Sequence, residues 1–244
     1  LRRILNVSLL VNNGFKISKV AKLDDQKIRN LILEISKRKT GESDYVDRLV
    51  LHMLNFDNIG FYNFTNEIIT QKGLEDAVLK VFFTLFERIG TYWQVGTIFP
   101  AQEHYVTNIL RQKSIAETDK LGFENRNGET ILFFLPEGEL HEMSLLFYSY
   151  LAQKNGYNVI YLGQFVPFED LAKVQNNIKI DYVFTAFINA MTKEELENYL
   201  IKLKETFHLQ KVFITGWQVQ HNNPELPRSV KIIQDYKYFK KYLC

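Results

Sequence analysis

The residues best suited to chemistry lie in the second half of the chain, in the run Pro136-Glu137-Gly138-Glu139-Leu140-His141-Glu142-Met143-Ser144. A neutral imidazole donates an electron pair to a metal, and a carboxylate on its other nitrogen fixes the tautomer and raises its basicity. His141, with Glu139 two residues before it and Glu142 beside it, has that composition. Taken alone, a histidine near a helix start is more often a structural hydrogen-bonder. The comparable loops contain no further histidine before His221, so a zinc site of three protein ligands is poorly supported, whereas a metal that arrives already chelated needs just one. The single cysteine, Cys244, is the last residue, which excludes an internal disulfide framework and a cysteine-based zinc site. The chain has no GxGxxG or GxxxxGK[ST] loop, so a dinucleotide or nucleoside triphosphate cradle is not expected.

These residues need elements to position them. Past residue 129 the pattern alternates: apolar strand Thr130 to Leu135, helix from about Leu140 to Lys154, strand Asn158 to Leu162, helix Phe168 to Asn176, strand Tyr182 to Phe187, helix Lys193 to Thr206 and strand Lys211 to Thr215. A last strand near Val230 to Gln234 and a basic, aromatic tail Tyr236 to Leu243 follow. Continuous apolar strands alternating with helices predict a five-stranded parallel sheet, doubly wound and covered on both faces. Ligands of such sheets sit beyond the carboxyl ends of the strands, where Glu139, His141, Gly163, Asn189 and Gly216-Trp217 all fall.

Upstream, residues 43 to 117 read as four helices, Asp44 to Asn55, Asn58 to Gln71, Leu74 to Tyr92 and Pro100 to Thr118, with apolar residues at helical spacing and short breaks. Short connections predict an antiparallel bundle. The first forty residues hold three short helical patterns and ten bases against three acids, which leaves the rest of the chain acidic despite a net charge of +2. Such asymmetry suits a nucleic-acid partner and equally suits a solvated helix face. The chain starts at Leu1, inside an apolar pattern without a capping residue, so a fragment of a longer protein is expected. We expect three regions: residues 1–40, a helical cap over 41–124, and an α/β domain over 125–244 beginning at a polar hinge, Asn125 to Gly128. No apolar run is long enough for a membrane helix and no signal-peptide layout opens the chain, so a cytoplasmic protein without a membrane partner is expected.

The spacing Glu139-x-His141-x-x-Ser144, then Leu162-Gly163, Thr185-x-Phe187 and Gly216-Trp217, resembles the cobalamin-binding domain whose pattern is Asp/Glu-x-His-x-x-Gly, Ser-x-Leu, Gly-Gly. The resemblance implies a flavodoxin-like (Rossmann-like) fold, His141 as the lower ligand of the cobalt of cobalamin, Glu139 as its orienting carboxylate, and Thr185 where a serine meets the nucleotide tail. In the helical region Trp93, followed by Glu103-His104, is similar to the Trp-x9-Glu-His element of bundles that cap adenosylcobalamin in MerR-type regulators of the CarH/LitR group. An indole supplies a flat apolar wall there, while carboxylate and imidazole can hydrogen-bond the adenosyl group. The run Leu9-Leu10 to Gly14-Phe15-Lys16-Ile17-Ser18-Lys19-Val20-Ala21-Lys22-Leu23 resembles the end of a MerR-type winged helix, whose groove-reading part lies upstream of Leu1.

The resemblance implies a cobalamin-sensing transcriptional regulator rather than an enzyme, a homo-oligomer that contacts DNA through its missing amino-terminal part and that is a candidate photoreceptor. Two other functions share the layout: a corrinoid methyl carrier of a methyltransferase, and a degenerate sensor that has lost cobalamin. Ser144 in place of glycine and Trp217 in place of the second glycine put bulk where corrin and tail need room. Gln94 stands where photoreceptor members commonly carry a histidine, so no nitrogen ligand to cobalt is expected from residue 94 after photolysis.

Overall fold

The structure is a computed structural model of the 244-residue chain and describes residues 3, 6, 7, 10, 11, 13–38, 43–122 and 128–243. Leu9 and the hinge residues 125–127 lie outside the described residues. The chain divides into two compact units, Leu1–Gln112 and Lys113–Cys244.

The first unit is helical. A short helix α1 (Ile17–Val20) precedes α2 (Asp25–Arg38), whose entry is capped by the Asp24 carboxylate accepting from the Lys27 N–H at 2.8 Å. Leu10, Val20, Ile28 and Ile32 bury against Val95, so the amino-terminal segment has a core only because the bundle supplies one wall. Helices α3 (Ser43–Leu54), α4 (Asn58–Ala77) and α5 (Phe83–Val95) follow, and α6 (Pro100–Asp119) begins in this unit and ends in the second. The expected break near Lys72-Gly73 is present as a non-helical Gly73 (φ 75°, ψ 160°) within α4, and a π-helical turn over Val78–Phe82 joins α4 to α5. Arg88, almost fully buried, is ion-paired with Asp47 of α3, which orients α5 on that helix.

The second unit is the doubly wound sheet that the alternation predicts. Strands β1 (Thr130–Pro136), β2 (Asn158–Val166), β3 (Tyr182–Ala186), β4 (Lys211–Thr215) and β5 (Val230–Ile232) lie in the order β2-β1-β3-β4-β5, all parallel. Connecting helices are α7 (Met143–Lys154), α8 (Phe168–Asn177), α9 (Lys193–Thr206) and α10 (Trp217–Asn222), with α11 (Tyr236–Leu243) after β5. A capping box, Thr192 with Glu195, starts α9. On one face Leu132, Phe134, Val183, Val212 and Ile214 pack with Leu171 of α8 and Leu196 and Leu200 of α9. On the other, Phe133, Phe184 and Phe213 stack with Tyr148 of α7 and Phe239 of α11.

Three local features differ from the sequence expectation. Strand β2 runs past Leu162 to Val166 through two irregularities opposite β1, with Gly163 and Phe165 at positive φ. Helix α7 starts at Met143, three residues later than expected: the N–H groups of Leu140 and His141 are held by the Glu139 carboxylate, and that of Glu142 by the Leu140 carbonyl. Helix α10 has no counterpart in the sequence expectation; it is a six-residue turn set by the backbone of Gly216.

Candidate functional site

Strand order places the site. Strands β2 and β3 flank β1 on opposite sides, so the chain winds away from β1 in both directions and leaves a crevice at its carboxyl end. Glu139 closes that crevice: its Oε2 accepts the backbone N–H groups of Ile188 and Asn189, beyond β3, at 2.7 Å each. Its Oε1 accepts from the N–H groups of Leu140 and His141 at 3.0 Å each and from the His141 ring Nδ1 at 2.6 Å. Asn189 adds a side-chain bond from Nδ2 to the Gly138 carbonyl at 2.6 Å, so the two loops are joined twice.

Glu139 is only 4% exposed. Burial by itself would raise its pKa, but the bonds from the His141 ring and from the N–H groups of Asn189, His141 and Ile188 outweigh that and bring it down to about 2. A carboxylate accepting from Nδ1 favours the tautomer that carries its proton there, and in the neutral ring of that tautomer Nε2 is the lone-pair nitrogen. The imidazole itself is more than half exposed, unlike the carboxylate beneath it. Glu142, also buried, accepts from the Tyr161 hydroxyl at 2.8 Å.

The remaining expected positions arrange themselves around this pair. Phe187 is buried, and its carbonyl accepts from the Gln218 N–H at 3.1 Å. Gly216, φ 112°, lies directly on it: an added Cβ would sit 2.2 Å from the Phe187 oxygen, so only glycine fits. Gln218 then donates from Nε2 to the Ile188 carbonyl at 3.3 Å, tying the loop after β4 to the segment that holds Glu139. Trp217 points outward, 57% exposed and stacked on His221 with centroids 4.3 Å apart, so it does not plug the crevice as its bulk suggested. Ser144 and Thr185 each have a buried hydroxyl oxygen without a hydrogen-bond partner among the described residues. Leu162 is partly exposed and Gly163, beside it, is at positive φ in the irregular part of β2.

Sequence reasoning put Phe165, Asn189 and Gln218 in the loops after the strands but assigned none of them a role, neither Asn189 and Gln218 in the loop network nor Phe165 as an exposed ring. The exposed Leu140 has its carbonyl bonded by Gln164 Nε2 at 2.5 Å. Glutamine and asparagine are ordinary loop residues, and nothing in their spacing announces the partner strand.

In the helical unit Trp93 stands in the last turn of α5, 48% exposed, before the left-handed Gly96 that ends the helix. Glu103 lies in the first turn of α6, where its Oε1 accepts from Thr107 at 2.9 Å and its Oε2 lies 3.1 Å from His104 Nδ1. Residues 96–99 connect the two, and Gln102 ties the turn by accepting from the Phe99 N–H at 3.2 Å. Gln94 follows Trp93 and is partly exposed.

Residues 45–116 match the family described as B12 binding domain. Trp93, Glu103 and His104 lie inside the matched residues. Over 204 residues it is 28% identical to the HTH-type transcriptional repressor CarH of Myxococcus xanthus, covering 80% of this chain and 67% of that protein. Its fold is that of the monomethylamine corrinoid protein of Methanosarcina barkeri, with a TM-score of 0.62 at 16% identity, covering 83% of this chain and 98% of that one. A cobalamin-binding protein from Desulfitobacterium hafniense aligns at a TM-score of 0.39 and 16% identity, over 82% of this chain and 98% of that one.

The residues present fit a cobalt that takes one nitrogen ligand: His141 is exposed, its Nδ1 is engaged by Glu139, and that carboxylate is braced by two N–H groups from beyond β3. Among the described residues there is no group of three or more His, Cys, Asp or Glu side chains that could hold a metal ion. Among the described residues no helix is long and apolar enough to cross a membrane.

Proposed function

We propose that this chain is the cobalamin-responsive part of a transcriptional regulator. The observation that carries the reading is the His141 Nδ1 bond to the buried Glu139 carboxylate at the switch point of the sheet. Similarity to the repressor CarH supports the regulatory role. When bound, cobalamin would supply a cobalt able to take a nitrogen ligand from the protein and, as adenosylcobalamin, a light-sensitive cobalt–carbon bond. His141 Nε2 would serve as the lower ligand, Glu139 as the group that orients it. Trp93 would present its indole to the adenosyl group, with Glu103 and His104 as hydrogen-bonding groups.

The protein's work is binding, with no turnover required. Cofactor binding changes the population of oligomers in a cytoplasmic regulator, and that population sets the affinity for DNA held by an amino-terminal domain upstream of Leu1. The test mixes the purified chain with adenosylcobalamin in the dark and records visible spectrum and elution volume before and after green light. Micromolar or tighter binding, a change in elution volume, and loss of the spectral shift in His141→Ala are expected. A colourless eluate, or an unchanged spectrum in that variant, overturns the assignment.

A further inference from the structure

The geometry points to Gln218 as a positioning residue for His141, acting through two peptide units and the Glu139 carboxylate, so that corrinoid affinity depends on a glutamine that follows β4. This rests on the reading of His141 as the cobalt ligand and concerns what holds that ligand in place.

Glu139 Oε2 accepts two N–H groups, and each belongs to a peptide unit whose carbonyl is bonded in turn. The N–H of Ile188 shares its peptide with the Phe187 carbonyl, which accepts the backbone N–H of Gln218 at 3.1 Å. The N–H of Asn189 shares its peptide with the Ile188 carbonyl, which accepts from Gln218 Nε2 at 3.3 Å. One residue therefore backs both donors. A peptide whose oxygen accepts a hydrogen bond is a better donor at its nitrogen, and it cannot turn without breaking the bonds at both ends. The two bonds to Glu139 are short for N–H donors, at 2.7 Å each, as charge-assisted bonds are.

The Gln218 side chain is itself aimed. It is only 5% exposed, whereas Trp217 beside it is open to water. A carbonyl can only accept, so the Ile188 oxygen takes the NH2 end of the amide. The Oε1 end then accepts from Asn222 Nδ2 at 3.2 Å, and the same Nδ2 donates to the Met191 carbonyl at 3.1 Å. Reversing the Gln218 amide would set oxygen against oxygen at Ile188 and NH2 against NH2 at Asn222. The bonds thus run from Asn222 through Gln218 and the Ile188–Asn189 peptide to Glu139, and from Glu139 to His141 Nδ1. Groups behind a metal-binding histidine commonly change metal affinity by about 10- to 100-fold, because they fix the direction of its lone pair.

A second buried glutamine, at the other end of β4, supplies the control. Gln210 donates from Nε2 to the Ile180 carbonyl at 3.1 Å, the same kind of bond at the amino end of the sheet. Gln218→Met and Gln210→Met, made in the full chain with unchanged circular dichroism, should lose similar stability in urea, since each removes one side-chain donor from a backbone carbonyl. Hydroxocobalamin, titrated by visible spectrum, is expected to bind Gln218→Met about tenfold more weakly than the parent chain, Asn222→Ala about threefold more weakly, and Gln210→Met within about twofold. An affinity of Gln218→Met within about twofold of the parent, or an equal weakening in Gln210→Met, overturns the role of Gln218 and leaves the reading of His141 intact. If Gln218→Met does not fold, Asn222→Ala decides in its place, and parental affinity in that variant overturns the role. A parent chain that takes up no hydroxocobalamin overturns the reading of His141 and the role of Gln218 with it.

Discussion

The two candidate binding regions are built on opposite plans. At the carboxyl edge of the sheet, the exposed imidazole of His141 rests on a buried carboxylate that is held by N–H groups from two separate loops. At the turn between α5 and α6, Trp93, Glu103 and His104 are exposed or partly exposed, and the contacts of the acid are to residues of its own helix. One region is preorganised by bonds between distant loops, and the other offers surface groups with contacts inside one helix. Preorganisation lowers the cost of binding, so under the proposed function the sheet-edge region should contribute more to corrinoid affinity and the helical turn more to discrimination of the adenosyl group.

The sharpest way to break this contrast is to remove the brace under the sheet-edge region. Gly216→Ala places a Cβ against the Phe187 carbonyl and forces a positive φ on alanine, so the α/β unit should lose about 3 kcal/mol or more of stability in urea denaturation. A loss under about 1 kcal/mol would show that the loops after β3 and β4 adjust freely and that the site is not rigid.

Glu139→Gln keeps the shape but removes the charge that its N–H donors and His141 share. A loss of about 2 kcal/mol is expected, read by thermal or urea unfolding at neutral pH. The pH dependence carries its own sign. Because the folded carboxyl titrates at about 2, below its unfolded value of 4.5, its stabilisation is complete above about pH 4.5 and is lost as pH falls toward 2. The Glu139→Gln variant should lack that part of the acid dependence, and unfolding curves between about pH 5 and pH 2 compare it with the parent chain.

Smaller effects are expected from the exposed groups. His141→Ala should cost at most about 1 kcal/mol of folding stability, since the ring is largely in water, while abolishing the axial spectral shift with corrinoid. Trp93→Ala should change stability by less than about 1 kcal/mol and weaken adenosylcobalamin but not hydroxocobalamin, as measured by parallel titrations. Equal weakening of both would transfer Trp93 from selecting the upper substituent to general support. The smallest effect belongs to Gln94→Ala, which should leave the spectrum after photolysis unchanged.

Legibility of the sequence followed the range of the interaction. Helix α9 and strand β4 lie where the alternation puts them, because a capping Thr192 with Glu195 and an apolar five-residue run are local signals. The extension of β2 was hidden because Gly163 and Pro167 read as turn residues, whereas pairing of Gly163 with Phe134 and of Val166 with Pro136 carries the strand onward. Helix α10 was hidden because six residues give too short a pattern. In the candidate site the Glu139–His141 pair was legible from spacing, being two residues apart, but its support from Ile188 and Asn189, about fifty residues away, was not. Trp217 shows the limit of reasoning from size alone: bulk was legible, direction was not, and the indole turns to water.

By itself the sequence determined the helical first part, the parallel alternating second part and the identity of the imidazole with its carboxylate, because helix and strand periods and i,i+2 proximity depend only on neighbouring residues. Only the tertiary structure decided that β3 lies beside β1 and so brings two N–H groups to Glu139, and that rings from β1, β3, β4, α7 and α11 fill one face of the sheet. Strand order and the interdigitation of distant side chains come from packing the whole unit to high density, a condition that no short stretch of sequence contains.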